Sequence, residues 1–458
     1  MGDGDSSPDS SGLWRRSWFW LAVAAIHLTL LALYYLPTPK PPLGDETMYL
    51  RAAQVVLESG RSELGSLWPP GYAWFLAPLV ALGNGSLWAV QLVQTVLLLA
   101  AAWLLALLLE RGLGDPRARS FAVLFTIAYP PLIGFAHYLW PEVLHLTAML
   151  AALAVLLLGP PAISTAVAGG LLIALCLQSK VLLTILLPLL IAGLWRYWPA
   201  ALRLRLLIVL SLTIALGILP TVTAQFRDFG RPMLASSGWF NAWVGLNDVS
   251  RGEFRHPVVA EEYPRYLRSA RSAQARDLLA RDKVVALIRE QGVVATLGER
   301  LRIQYFRLLS RDSFLTLQLA GGAIWQRGDG YRAGANAAGH AVRWLAYLMW
   351  GSLLLLTAWG SVTFPYRRRP VGWWVLAFVL CQLGLFIVLH VKSRYRVQML
   401  PGLIFFAAYA ASWWRARLGE SRRGSLSTSS VPVLSRVRLA CAALLALALL
   451  VIAFAPVS

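Results

Sequence analysis

The chain has 458 residues, of which 58% are hydrophobic and only 14% are charged, and its formal net charge is +20. Ordinary globular proteins carry about 25% charged residues, so this composition excludes a soluble enzyme and a disordered polypeptide. The cysteines Cys176, Cys381 and Cys441 all lie within long apolar runs, which excludes a disulfide scaffold or a zinc knuckle. Basic residues collect beside apolar spans, where they meet anionic lipid head groups, and this explains the positive charge better than nucleic-acid binding does.

Long apolar runs predict an all-α polytopic membrane protein, because a helix of about twenty apolar residues crosses a bilayer core of about 30 Å. About eleven spans are expected. They lie near residues 17–36, 87–109, 118–136, 141–158, 162–178, 181–196, 203–223, 341–363, 371–390, 397–414 and 437–455. The first run lacks a small-residue cleavage site, so we expect it to be retained as a span.

The arginines of the short loops predict how these spans lie in the membrane. With a cytoplasmic N-terminus, the basic loops at Arg15, Arg111, Arg196, Arg367 and Arg415 all fall on the cytoplasmic side, as the positive-inside rule requires. The excess of arginine over lysine is typical of a GC-rich bacterial genome. We therefore expect a multi-pass protein of the bacterial inner (plasma) membrane, with its two long loops on the outer face.

Two stretches place carboxylates at this outer face. Asp45 and Glu46 follow the first span, and Glu142 begins the fourth span one turn before His145. A carboxylate at the edge of the hydrocarbon is costly unless it is paired, capped or functional, and a cap in the first turn of a helix stays open as the alternative for each. Asp45, Glu142 and His145 could also bind a divalent metal ion together, although their spacing matches no established metal motif.

Two basic stretches break the charge pattern, because short outer loops are normally poor in positive charge. Lys180 lies between the fifth and sixth spans, and Lys392, Arg394 and Tyr395 lie between the ninth and tenth. Such cations suit a phosphate, and snorkelling to lipid phosphates is the alternative. The sequence WPPGY, which ends at Tyr72, turns the first outer loop back towards the membrane.

Acidic and basic residues from four separate stretches therefore converge on one membrane face. Polar residues that recur every three or four positions from Thr47 to Glu58 predict an amphipathic interfacial helix beside them. A reaction that fits is the attack of an acceptor hydroxyl on a sugar whose leaving group is a lipid phosphate. A carboxylate would accept the hydroxyl proton, and cations would stabilise the charge on the departing phosphate.

Five sequence pieces carry a resemblance to a known family. They are GDETMYLRAAQVVLESG, WPPGYAWFLAP, PEVLHLTAML, FGRPMLASSGWFNAWVGLN and SRYRVQMLPGLIFFAA, and they cover most of residues 17 to 414. In this order the chain resembles the multi-spanning GT-C glycosyltransferases. It is similar in particular to the bacterial group of protein O-mannosyltransferases and lipid A aminoarabinose transferases, the glycosyltransferase families 39 and 83.

The resemblance implies a GT-C-type bundle with extracytoplasmic loops that carry interfacial helices. It implies a polyprenyl-phosphate sugar donor, transfer of a hexose or pentose with inversion, and an acceptor that is a glycan, a lipid or a protein. Asp45 would be the catalytic base with Glu46 beside it, and Glu142 would assist the acceptor or a metal. The donor would meet the substrate-binding residues Tyr72, Lys180, Lys392, Arg394 and Tyr395.

Three regions follow from this interpretation. They are an N-terminal transmembrane catalytic module at 1–223 with the first outer loop at 37–86, an extracytoplasmic loop region at 224–340, and C-terminal transmembrane helices at 341–458 with a cytoplasmic linker at 415–436. In the second region Trp239, Phe240, Asn241 and Trp243 could stack on a sugar ring or contact lipid. A transporter or lipid flippase, and a non-catalytic assembly factor, are the alternative functions.

Overall fold

The computed structural model describes residues 42, 44–60, 67–247, 257–268, 273–312, 337–389, 391–422 and 436–454, together with single positions between 18 and 27. Helices account for all the regular structure in these ranges. Most of the predicted span 17–36 and much of the predicted linker 415–436 lie outside the described residues.

Most helices of the N-terminal half are apolar and follow each other closely. They are α1 Asp45–Ser59, α2 Gly71–Leu82, α3 Trp88–Leu113, α4 Pro116–Ala128, α5 Pro130–His137, α6 Glu142–Leu158, α7 Ile163–Ser179, α8 Leu187–Tyr197 and α9 Ala200–Phe229. The later helices are α10 Gly238–Leu246, α11 Pro257–Arg268, α12 Ala273–Gln291, α13 Val293–Leu309, α14 Ala337–Thr363, α15 Val371–Val388, α16 Leu400–Arg422 and α17 Arg436–Phe454.

By length and composition, six helices of the described part could cross a membrane. They are Trp88–Leu113, Ala200–Asp228, His340–Thr363, Val371–Val388, Ser393–Arg415 and Arg436–Phe454. Helices α4 and α5 would form a seventh span bent by 56°, because Pro130 and Pro131 lack the amide hydrogens that would continue the first helix. Shorter apolar helices occupy the expected spans between residues 141 and 196. The predicted all-α membrane bundle is confirmed.

Helix α1 has the amphipathic character that the sequence predicts. The polar residues Thr47, Arg51, Gln54 and Glu58 are all exposed, and residues between them face inwards, with Ala52 and Val56 buried among others. The buried side packs against α2 in an apolar cluster of its own. This packing fixes the direction in which α1 presents its first turn.

Small residues let the long helices pack closely, as is common in membrane bundles. A β-carbon added at Gly360 of α14 would clash with the carbonyl oxygen of Phe406 in α16. A β-carbon added at Gly217 of α9 would lie 2.6 Å from the β-carbon of Ala174 in α7. Contacts this short leave room for a hydrogen atom only.

The segment from α10 to α12 buries two of its aromatic residues. Phe240 and Trp243 of α10 are buried in an apolar cluster with α12, and Lys283 Nζ lies 4.9 Å from the centre of the Trp243 ring. A hydrogen bond from Lys283 lowers the pKa of Glu262 below its ordinary value. Phe240 and Trp243 therefore lie in the interior of this segment, whereas Trp239 is exposed.

Two 3₁₀ turns, Val181–Leu186 and Ser393–Met399, lead into α8 and α16. Each follows a lysine in extended backbone, with φ of −159° at Lys180 and −127° at Lys392. These turns bring Lys180 and Arg394 to the end of the bundle where α1 and α6 begin.

We expect Gly360→Ala to destabilise the bundle by about 1–3 kcal/mol, because the added methyl group meets backbone that has no rotamer to escape into. The measurement is the thermal unfolding midpoint of the purified protein in detergent. The matched control is Gly384→Ala in α15, where an added β-carbon meets no atom within 4 Å. Equal midpoints for the two variants would contradict the packing described here.

Candidate active site

Asp45, the first residue of α1, pairs with an arginine from a distant part of the chain. Arg394 Nη2 donates a hydrogen bond of 3.0 Å to Asp45 Oδ2. Because Arg394 lies in the 3₁₀ turn Ser393–Met399, this contact joins the start of the described bundle to its C-terminal part.

Glu142, the first residue of α6, lies between two cations. Lys180 Nζ donates a hydrogen bond of 3.0 Å to Glu142 Oε1, and Arg394 Nε lies 3.9 Å from the same oxygen. Arg394 therefore contacts both carboxylates. We call Asp45, Glu142, Lys180 and Arg394 the charged cluster.

The members of the charged cluster differ in their access to solvent. The exposed fraction of the side chain is 27% for Asp45, 14% for Lys180, 10% for Arg394 and 1% for Glu142. The formal charges of the four groups sum to zero, which offsets much of the cost of removing them from water. Asp45 is the member at the open edge, and Glu142 is the member at the base.

Aromatic rings surround the two cations. The guanidinium of Arg394 lies 4.1 Å from the centre of the Trp140 ring and 5.2 Å from that of Tyr395. Lys180 Nζ lies 5.2 Å from the same Tyr395 ring, which stacks on Phe386. A cation over an aromatic face is stabilised by the ring quadrupole, so these rings hold the cations in place without neutralising them.

The turn that carries Lys180 is held from two directions. Gln178 Nε2 donates to the carbonyl of Gly217 at 2.7 Å, and Thr221 Oγ1 donates to Gln178 Oε1 at 2.8 Å. On the other side, a β-carbon at Gly71 would lie 2.6 Å from the Gln178 carbonyl oxygen. The start of α2 therefore packs directly on the backbone that precedes Lys180.

The turn that carries Arg394 is held by its neighbour Arg396. Arg396 is buried, its Nη1 donates to the carbonyl of Ser310, and its Nη2 donates to Tyr129 Oη at 3.0 Å. Its guanidinium also lies 4.2 Å from the centre of the Trp350 ring. These contacts tie the 3₁₀ turn to the core of the bundle and to the end of α13.

Glu46 lies outside the charged cluster, although it follows Asp45 in sequence. Successive residues of an α-helix point about 100° apart, and Glu46 is buried, with its Oε1 accepting a hydrogen bond of 3.0 Å from the backbone N–H of Leu139. This bond ties α1 to the segment that leads into α6. The structure thus gives Glu46 a contact that aligns the first residues of these two helices.

Tyr72 lies beneath the charged cluster and is completely buried. Its hydroxyl donates to Gln94 Oε1 at 2.8 Å, and Gln94 Nε2 donates to the carbonyls of Ala136 and Tyr138 at 3.2 and 2.9 Å. These bonds stabilise the backbone between α5 and α6. The Tyr72 hydroxyl is therefore engaged with Gln94 in the interior of the bundle.

Tyr49 lies one turn after Asp45 on the buried side of α1. Its ring contacts Trp68 and Tyr72 with centroid distances of 5.2 and 5.0 Å. Burial raises the pKa of Tyr49 well above its ordinary value, and the negative charges of Asp45 and Glu142 raise it further. The Tyr49 hydroxyl is therefore neutral, and its ring lines one side of the site.

The predicted metal set of Asp45, Glu142 and His145 is not assembled. His145 Nδ1 points at α7, 3.1 Å from the carbonyl oxygen of Cys176 and 3.2 Å from Ser179 Oγ. In the parts of the chain that the structure describes, no three His, Cys, Asp or Glu side chains are grouped so that they could hold a metal ion. The expectation is wrong because His145 lies one turn below Glu142 and faces α7, whereas both carboxylates are paired with cations.

The remaining predicted residues are close to the cluster. Tyr395 contributes its ring, and Arg394 Nη2 lies 3.5 Å from its hydroxyl. Lys392 is half-buried at the start of the same turn. The sequence did not single out Trp140, Gln94 or Arg396 as part of the site. Gln94, a polar side chain inside the apolar run 87–109, was a signal that could have been used, because such residues need partners in a membrane.

Comparisons with known proteins show the fold. No family model matches the sequence, and no curated protein matches it. Among solved structures, the chain is similar to the archaeal oligosaccharyltransferase AglB from Archaeoglobus fulgidus in complex with an inhibitory peptide and a dolichol-phosphate. The TM-score is 0.50 at 14% identity, and the match covers 96% of this chain and 55% of that chain. This chain therefore shares its fold with the matched part of that membrane protein.

Substitution of Glu46 separates its structural contact from its charge. Glu46→Gln keeps an oxygen for the Leu139 amide, whereas Glu46→Ala leaves that buried amide without this acceptor. We expect the alanine variant to be less stable than the glutamine variant by about 1–3 kcal/mol, measured as thermal unfolding in detergent. Glu58→Ala, on the exposed side of the same helix, is the control. If the alanine and glutamine variants unfold together, the Leu139 contact is not stabilising.

Proposed function

We propose that this protein is a membrane glycosyltransferase. It moves a sugar from a polyprenyl-phosphate-linked donor to an acceptor hydroxyl, with inversion at the anomeric carbon. The observation that carries the proposal is the charged cluster, in which a partly open carboxylate, Asp45, pairs with Arg394. The second cation, Lys180, pairs with Glu142, which Arg394 also contacts. The reaction needs a base close to groups that bind a phosphate, and the charged cluster contains both kinds of group.

Asp45 acts as the base in this reaction. Its side chain is the most open of the cluster, so an acceptor hydroxyl reaches it first and gives up its proton to the carboxylate. The acceptor oxygen then forms a bond to the anomeric carbon. The bond between that carbon and the phosphate oxygen breaks, and its electron pair leaves with the lipid phosphate.

Arg394 and Lys180 stabilise the leaving phosphate. Both are cations in a largely buried site, where an oriented charge is worth more than in water. A donor phosphate competes with Asp45 for the Arg394 guanidinium, because that guanidinium now donates to the carboxylate. Donor binding would thereby free Asp45 for the acceptor. Glu142, which is paired with both cations, keeps them in position, and Lys392 adds positive charge at the edge.

Two further observations support the proposal. The fold is shared with a solved oligosaccharyltransferase in complex with an inhibitory peptide and a dolichol-phosphate, which is a lipid phosphate. The four charges lie at helix starts and in turns, and this placement favours surface chemistry over a transport pathway through the bundle.

We also propose that the site faces the outside of a bacterial inner membrane. The short basic loops at Arg196 and Arg367 lie at the far ends of α8 and α15, whose other ends adjoin the turns that carry Lys180 and Arg394. The positive-inside rule then assigns those loops to the cytoplasm. The donor would be hexosyl or pentosyl polyprenyl phosphate, and the acceptor a glycan, lipid or protein of the cell envelope.

The first test of the reaction is Asp45→Asn, which keeps the shape of the side chain and removes the base. We expect a loss of transfer of about 10²–10⁴-fold. The measurement is mass spectrometry of surface glycolipids and glycoproteins from a strain that lacks the gene and is complemented with each variant. Wild type and Asp282→Asn, an exposed aspartate outside the cluster, should restore the missing sugar mass. Restoration by Asp45→Asn at equal protein level would refute the role of Asp45.

The proposed role of the two cations can be tested with a lipid phosphate that carries no sugar, so the identity of the sugar need not be known. We expect Lys180→Gln and Arg394→Gln each to weaken binding of a polyprenyl monophosphate about tenfold or more, since a hydrogen bond to a charged group contributes about 1.5–3 kcal/mol. Native mass spectrometry of the purified protein gives the dissociation constants. The control is Arg281→Gln, which removes an exposed cation of α12. Unchanged constants for both cluster variants would discard the phosphate assignment.

A further inference from the structure

A cleft of about 340 Å³ opens between α4, α14 and α16. Its apolar lining includes Phe121, Leu124 and Phe125 from α4 and Met349 from α14, and Arg415 lies on its α16 side. Sites for small molecules and lipid chains usually enclose about 300–1,000 Å³ and are mostly apolar with a few polar groups. The cleft has this composition and size.

The cleft lies far from the charged cluster. Helix α16 begins at Leu400, directly after the turn that carries Arg394, and Arg415 is fifteen residues further along. At 1.5 Å per residue this is about 22 Å along the helix axis, most of the thickness of a bilayer core. Arg415 is therefore near the opposite membrane surface, on the side of the basic short loops.

The polar groups of the cleft lie near the membrane surface, and its apolar groups lie deeper. On α4, Ser120 lies near the start of the helix and Ala128 lies at the break before Pro130, about 12 Å deeper. On α16, Ser412 lies one turn before Arg415, and both line the cleft. The cleft thus has a cation and hydroxyl groups at the membrane surface and hydrocarbon side chains towards the middle.

Arg415 itself is exposed. Within the described residues, no carboxylate or other side chain forms an ion pair or hydrogen bond with it. Other basic residues of this side are already engaged, since Arg119 pairs with Glu110 and Arg369 donates to the carbonyl of Leu113. Arg415 therefore combines an apolar cleft with a positive charge that a ligand can reach.

From this arrangement we propose that the cleft is a binding site for an anionic phospholipid. One acyl chain occupies the apolar cleft along α4, and the phosphate pairs with Arg415 at the surface. The occupant is a lipid because the lining below Arg415 is hydrocarbon, which a free anion would not contact. It is anionic because basic pockets between helices on the cytoplasmic side attract acidic head groups. The site is separate from the proposed transfer reaction and does not depend on it.

Photolabelling tests the site directly. The full-length protein is reconstituted with phosphatidylcholine and a trace of phosphatidylglycerol that carries a diazirine on one acyl chain, and labelled peptides are found by mass spectrometry. We expect labelling of α4 between Phe121 and Phe125 in the wild type. Arg415→Gln should reduce it about fivefold, the equivalent of about 1 kcal/mol for one arginine near an anionic head group.

Two comparisons make the test decisive. Arg367→Gln removes another exposed arginine of the same membrane side and should leave the labelling unchanged, and Arg415→Lys should retain most of it. Unlabelled phosphatidylglycerol should compete better than unlabelled phosphatidylcholine. Leu124→Trp, which fills the cleft and leaves Arg415 intact, should also reduce labelling. Equal labelling of wild type and Arg415→Gln, or equal competition by both lipids, would show ordinary lipid contact and overturn the proposal.

Discussion

The pairing of two largely buried cations with two carboxylates is the constraint on which the site depends. A single buried charge at the end of an apolar bundle would cost several kcal/mol, so Glu142 at 1% exposure requires Lys180 and Arg394 close by. Arg394 in turn bridges Glu142 to Asp45. These groups come from four separate parts of the chain. The cluster therefore stabilises the arrangement of the helix starts, and that arrangement in turn brings the four groups together.

Beneath the cluster, a second layer of polar contacts sets the geometry. Glu46 aligns α1 with the approach to α6, Gln94 holds the same segment from below, and Arg396 anchors the turn before α16. All three are buried and none belongs to the cluster. A site on rigid, internally satisfied supports can bind and release a charged substrate with little rearrangement of the backbone. The two cations are thereby held in fixed positions, as the proposed phosphate binding requires.

The sequence predicted the bundle because apolar runs of membrane length leave few alternatives. It also singled out Asp45, Glu142, Lys180 and Arg394, because each is a charge where charge is costly. Residue type did not reveal the direction in which a side chain points. Four candidates chosen by residue type are buried in the protein interior. They are Tyr72, His145, Phe240 and Trp243.

Composition, apolar length and the positions of charges were thus enough, by the sequence alone, to determine a helical membrane protein with a group of charged residues at its helix ends. Only the tertiary structure decided that Asp45 and Glu46 separate, one towards Arg394 and the other towards the Leu139 amide. The physical reason is that a helix turns its side chains by about 100° per residue. Which side is buried depends on neighbouring helices that lie far away in sequence.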